Sequence, residues 1–139
     1  MADLVTIKGK FEFFSGDAYL DAADLRYCLI KTTIPTVDAN FRSDVTELTV
    51  AGYGVQTLVG ETVTEDDTND FAYLDATDPV FTALAAGETI IFGGLYRHVT
   101  VAADSPLYAC HDVADTATNG GNVTIQFATP ANGGVLKGA

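Results

Sequence analysis

The chain begins with apolar residues spaced three and four apart and then changes to a period of two. Ile7, Phe11, Phe14 and Ala18 recur at helical spacing, with Lys8, Lys10, Glu12 and Asp17 on the other faces. Gly9 and Gly16 limit the length of any helix, because glycine costs about 1 kcal/mol relative to alanine inside one. The spacing predicts a short helix over 6–15, ended by Gly16 and able to shield an edge of a sheet.

From residue 25 onward strand signals dominate. Residues 25–34 read as a long strand stopped by Pro35, residues 38–46 as a polar stretch with a helical turn, and 47–50 as a short strand. Gly52-Tyr53-Gly54 predicts a turn or bulge. Residues 55–64 form the next strand, with Val55, Thr57, Val59, Glu61 and Val63 sharing a face. An acidic turn at 65–70, a strand at 71–74, a turn at 75–79 and an extended stretch at 80–84 follow. The most apolar strand, 88–99, is interrupted by Gly93-Gly94, which points to a bulge or a close backbone approach. Residues 106–113 are another strand. Asn119-Gly120-Gly121 is a hairpin-type signal before the clean alternation of 122–127, and Asn132-Gly133-Gly134 turns ahead of Val135 and Leu136. About eight short strands with regular turns predict a mainly β, single-domain sandwich or barrel-like antiparallel fold. Residues 1–24 form an N-terminal segment carrying the helix, and 25–139 the β-sandwich.

Composition narrows the class. A chain of 139 residues suits one domain, and one of this size buries roughly two-thirds of its unfolded surface. Eight Phe and six Tyr supply a core without help from disulfides or metals. The net charge is −12 and is unevenly placed: residues 1–42 hold five bases and six acids, whereas 43–139 hold two bases and 13 acids. Nucleic-acid binding needs clustered Lys and Arg to displace counterions, so neither nucleic acid nor an anionic membrane is an expected partner. No run approaches the about 20 apolar residues of a membrane span. The first residues lack the basic start and long apolar stretch of a signal peptide.

Candidate chemistry is sparse. Cys28 and Cys110 lie in apolar runs and read as buried free thiols, or as a pair if their strands are neighbours. His98 and His111 fall near the ends of consecutive strands and could meet, with Asp112 or Asp104 as further ligands, but two ordinary strand-end histidines are the expectation. Cys110-His111 does not suggest a thiolate–imidazole pair, because adjacent strand residues face opposite ways. Glu65, Asp66, Asp67, Asn69 and Asp70 lack the spacing of an EF-hand loop and read as a hairpin tip. Asp75 and Asp78 read as turn caps. Asn122-Val123-Thr124 is a glycosylation sequon without a secretory signal, and Gly52-Tyr53-Gly54 lacks the Lys of a phosphate loop. No catalytic residue, metal or cofactor is expected.

The order of motifs resembles a family of small tailed-phage virion structural proteins. It is carried by Ile7-Lys8-Gly9-Lys10, Leu29-Ile30-Lys31, Phe41-Arg42-Ser43-Asp44-Val45, Ala51-Gly52-Tyr53, the stretches 57–64 and 75–84, Leu95-Tyr96-Arg97, Ser105-Pro106-Leu107, Thr124-Ile125-Gln126-Phe127 and Gly134-Val135-Leu136. Typical members carry a Trp near 80–82 and another near 127; this chain has no Trp, and phenylalanine takes that place. The resemblance implies a virion part with no catalytic residues to transfer. The expected function is a capsid decoration or cement protein bound to the major capsid protein, the alternative being a tail or fibre component that binds host glycans. Self-association as a homotrimer is expected, through sheet surfaces and the tail 133–139. Lys8, Lys10, Phe11, Phe14, Val135 and Leu136 are the candidate partner-binding residues.

Overall fold

The computed structural model describes residues 4–16, 20, 23–32, 35–129, 132 and 134–138. In chain order the elements are β1 Leu4–Val5, α1 Ile7–Ser15, β2 Leu25–Ile30, β3 Gln56–Thr57, β4 Thr62–Asp66, β5 Phe71–Asp75, β6 Val80–Phe81, β7 Thr89–Arg97, β8 Leu107–Ala117, β9 Val123–Thr124 and β10 Leu136–Gly138. A five-stranded sheet runs β1-β8-β7-β2-β3, beside a three-stranded sheet β10-β5-β4 and the pair β6-β9. The pairings are antiparallel.

Alternation along β2 sends Leu25, Tyr27 and Leu29 to one face of the large sheet and Cys28 and Ile30 to the other. The first set packs with Leu95 and Ala109, and with Leu74, Phe81, Ile125 and Val135 from the smaller sheets and the chain beside them. The second set packs with Phe92, Leu107 and Cys110 beneath Ala39 and Val45 of the irregular chain before β3. The fold is therefore mainly β and sandwich-like with one short N-terminal helix, as the periodicities predict.

Gly93 and Gly94 occupy the middle of the central strand. Gly93 pairs with Leu29 and His111, and Gly94 with Cys28 and Cys110. A Cβ on Gly93 would lie 2.1 Å from the Tyr27 hydroxyl oxygen, and one on Gly94 would lie 2.8 Å from the Cys28 sulfur. Close approach is thus the reason for both glycines. The register shifts fall to either side, between Ile90 and Phe92 and between Leu95 and Tyr96. The same register separates the cysteines: their strands flank β7 and are not neighbours. Two strand spacings put them about 10 Å apart, beyond the reach of a disulfide. Both thiols are free and buried. Burial raises the Cys28 pKa and pushes that of Cys110 up to about 12.

Several boundaries differ from the sequence pattern. The predicted strand over 25–34 ends at Ile30, and its last two residues, 33–34, lie outside the described residues. Residues 47–50 make a single bridge, Ile30–Glu47, in place of a strand. Leu48 N–H still donates to the Leu29 carbonyl at 3.2 Å, and the next two amides turn to a side chain: Thr49 N–H donates to Glu88 at 2.7 Å and Val50 N–H at 3.2 Å, and Lys31 pairs with the same carboxylate. The stretch 55–64 breaks at Gly60, whose φ is +70°. Residues 56–57 join the five-stranded sheet and 62–66 the three-stranded one, so Val55 to Val63 share no single strand face. Asn119-Gly120-Gly121 joins strands that do not pair with each other, because β9 pairs with β6. The N-terminal segment is not separate from the sheet, since Leu4 and Val5 form an edge strand on Cys110 and Ala109. Asp17 and Ala18 lie outside the described residues.

The helix prediction holds in its limits. Thr6 caps α1, accepting from Gly9 N–H at 2.9 Å, and Gly16 ends it with φ +78°. Thr6 is fully buried, and its hydroxyl donates to the Leu107 carbonyl of β8. That anchor draws the helix so close that a Cβ on Gly9 would lie 2.5 Å from the Tyr108 carbonyl oxygen.

Two predictions follow from this packing. In Gly9→Ala, the clash with β8 backbone at about 1–3 kcal/mol outweighs the about 1 kcal/mol gain in helix propensity. Urea denaturation should show a net loss, whereas the exposed Gly54, with nothing near its would-be Cβ, should accept Ala without loss. The second concerns Glu88. The Lys31 ammonium, and after it the Thr49 amide, hold its carboxyl down from an ordinary 4.5 to about 2. A depressed folded-state pKa means the contribution is complete above about 4.5 and is lost as pH falls through about 2. The stability gap between wild type and Glu88→Gln should therefore shrink over that window and stay constant above it, as read from denaturation midpoints.

Candidate functional site

At nine residues, α1 is too short to persist unaided. Its first turn carries Lys8 and Lys10 and no acid, the wrong sign for the helix dipole. Tertiary contacts hold it. Glu12 is only 3% exposed and accepts from the Tyr108 hydroxyl at 2.7 Å and from the Arg97 guanidinium at 3.1 Å. Lys8 adds an ion pair at 3.3 Å. The bonded carboxylate and burial together raise the Tyr108 pKa, burial being the larger cause. Phe13 packs on the Tyr108 ring at a centroid distance of 5.3 Å. The inward face of α1 is thus Gly9, Glu12 and Phe13.

This reverses the expected polarity of the helix. Ile7, Phe11 and Phe14 lie on the outward face and are 52%, 58% and 90% exposed. Beside them, α1 and the three-stranded sheet enclose an open groove of about 460 Å³. Phe13, Phe14 and Val5 form one wall, and Val63, Leu74 and Leu136 the other. Among the described residues, Lys10 and Lys137 are its charged side chains, and no carboxylate, amide or aliphatic hydroxyl side chain lines it.

The candidate partner-binding residues divide accordingly. Phe11 and Phe14 share the outward face of α1, and Lys10 is exposed next to them. Lys8 is engaged within the chain, paired with Glu12 and with its ammonium 5.2 Å from the Phe11 ring centroid. Val135 is not a surface residue: it is 3% exposed in the core, with its N–H bonded to the Leu74 carbonyl. Leu136 is half-buried in β10, paired with Leu74. The tail packs on its own chain because β5 offers it a ladder.

The two histidines do not meet. His111 sits within β8 opposite Gly93, and His98 lies five residues beyond Gly93, about 16 Å along the strand. His111 is buried, its Nε2–H donating to the Val135 carbonyl at 2.7 Å. Its Nδ1 lies 2.8 Å from the Tyr27 hydroxyl, which donates to it when the imidazole is neutral. Cys110 belongs to the other core cluster, on the opposite face of β8. Asp66 accepts from the Thr68 and Asn69 amides and the Asn69 side chain, chiefly the last, which lowers its pKa. It serves as a turn cap. Asp78 accepts from the distant Phe127 N–H at 2.8 Å. Among the described residues, no group of three or more His, Cys, Asp or Glu is placed to hold a metal ion.

Glu12, Arg97, Tyr108 and the groove wall carry no local signal in the sequence, because the contacts join residues up to 96 positions apart. Compared with protein-family models, curated proteins and solved structures, the chain matches none.

Removing the Glu12 carboxylate leaves Arg97 and Tyr108 without their partner. Glu12→Ala should cost about 2–4 kcal/mol, between a lost buried hydrogen bond and a broken buried ion pair. Glu12→Gln, which can still accept from Tyr108, should cost less. Hydrogen exchange should locate the change, with faster exchange in α1 and unchanged protection in the β7–β8 ladder.

Proposed function

We propose that this chain is a structural component of a tailed-phage virion, a capsid decoration protein that works through protein–protein contacts. The observation that carries this reading is the outward face of α1. Three large apolar side chains, Ile7, Phe11 and Phe14, stand in water on a helix locked to the sheet by Glu12. A monomer gains nothing by exposing Phe14 at 90%, and contiguous exposed apolar side chains mark interaction surfaces. The order of motifs along the chain supplies the particle type, and the acidic surface suits a partner with basic rims.

The tail or fibre alternative, with a host glycan as ligand, fits the groove less well. Phe14 and Tyr73 offer stacking surfaces there. Sugar hydroxyls also need carboxylate or amide acceptors, and the described lining side chains supply neither. Self-association through sheet edges remains part of the reading. With the tail absorbed by β5, the exposed edge strand β4 is the surface for it.

Phe11→Ser with Phe14→Ser tests the proposal without touching the core. The double variant should keep the wild-type melting temperature to within a few degrees and lose incorporation into the particle. Quantitative mass spectrometry of purified particles reads the copy number. Hundreds of wild-type copies and few variant copies support a decoration protein; equal incorporation of both refutes the α1 face as the contact. Deleting residues 1–10 is the poorer test, because it removes β1 and the Thr6 anchor.

A further inference from the structure

The cations of this acidic chain are distributed unevenly with respect to the groove. Of seven Lys and Arg, five are ion-paired within the chain to four carboxylates: Lys8 and Arg97 share Glu12, Arg26 pairs with Asp24, Lys31 with Glu88 and Arg42 with Glu47. Among the described residues, the two without a carboxylate partner are Lys10 and Lys137, and both line the groove between α1 and the three-stranded sheet. Lys137 rests its ammonium 3.9 Å from the Phe71 ring centroid and interacts at longer range with the Asp66 carboxylate, without a direct ion pair among the described residues. With 19 acids in the chain, the supply of carboxylates is ample. Among the described residues, none of them lines the groove.

We propose that this groove binds an acidic segment of a partner protein, with one bulky apolar side chain seated between carboxylates. The apolar side chain fits beside Phe14, Val63 and Leu136, and the carboxylates face Lys10 and Lys137. A volume of about 460 Å³ holds one large side chain and its neighbours. Elsewhere the net charge of −12 repels an acidic segment, so the two lysines select for position as well as for charge. This inference rests on the reading of the α1 face as a docking surface, and it adds the chemistry of the occupant.

The probe is a fluorescein-labelled peptide, acetyl-Asp-Glu-Phe-Leu-Glu-Asp-amide, titrated with the full chain and followed by anisotropy and by amide shifts in NMR spectra. Saturable binding is expected, with shifts at Lys10, Phe14, Val63 and Leu136. Lys10→Glu and Lys137→Glu should each weaken it about fivefold or more, the upper end for an exposed ion pair. Replacing the peptide's Phe and Leu by Ser should abolish it. Equal binding of the peptide with Lys in place of its acids overturns the inference. So does binding of decanoate with none of the peptide, which would assign the groove to a small amphipathic acid. Shifts confined to the Ile7 and Phe11 side of α1, or no binding while Phe11→Ser/Phe14→Ser still loses incorporation, sinks the groove alone and leaves the docking surface standing. Peptide binding in the groove together with full incorporation of that double variant has the opposite effect.

Discussion

The missing side chain at Gly93 is the constraint on which most of the architecture depends. Tyr27 on β2 lies across the central strand at that point, where any Cβ would collide with its ring. Only so can its hydroxyl reach His111 on β8, two strands away. The imidazole then bonds the Val135 carbonyl, and Val135 in turn bonds Leu74 and leads into β10. One residue in the middle of the large sheet thereby ties the C-terminal strand and the three-stranded sheet to it. The ring stack of Tyr27 on His111, at 5.6 Å between centroids, and the edge contact to Phe127 fill the space around the bond.

A second buried polar connection performs the same task at the other end of the chain. Glu12 holds α1 against β8 through Arg97 and Tyr108, and Gly9 allows the approach. The arrangement has a consequence for the surface. Because the inward face of the helix is used by glycine and a carboxylate, its aromatic residues turn to solvent. The exposed apolar face on the outside follows from packing on the inside. A helix held by its apolar stripe would have had nothing left to present.

The polar clusters have a shared logic. Glu88 gathers Lys31, Thr49 and the Val50 amide, and Glu47 gathers Arg42 and the Tyr53 hydroxyl, which itself accepts from the Leu29 amide. Glu88 takes amides of backbone that leaves the ladder beside β2, and Glu47 reaches the Leu29 amide through Tyr53. Segments that lack strand partners are held by side chains, since buried amides need acceptors. Among the described residues, ion pairs of this kind engage five of the cations and leave Lys10 and Lys137 without one.

What the sequence alone determined was the local part. Period-two alternation and turn residues specify a mainly β chain, the helical spacing and Gly16 mark α1, and Gly93-Gly94 announces a bulge or a close approach. These signals are local because they arise from backbone sterics and from which face of a strand or helix a side chain occupies. The tertiary structure decided which face of α1 is buried, which strands pair and where the charges go. The stripe Ile7, Phe11, Phe14 looks like a core stripe in isolation, and only the presence of Arg97 and Tyr108 opposite Glu12 makes the polar side the favourable one to bury. Likewise nothing near Asn119 tells that β9 will pair with β6 and not with β8, and nothing near Cys28 tells that β7 will lie between it and Cys110. Such outcomes are set by partners tens of residues away, whose pairing is a property of the assembled sheet and not of any window of sequence.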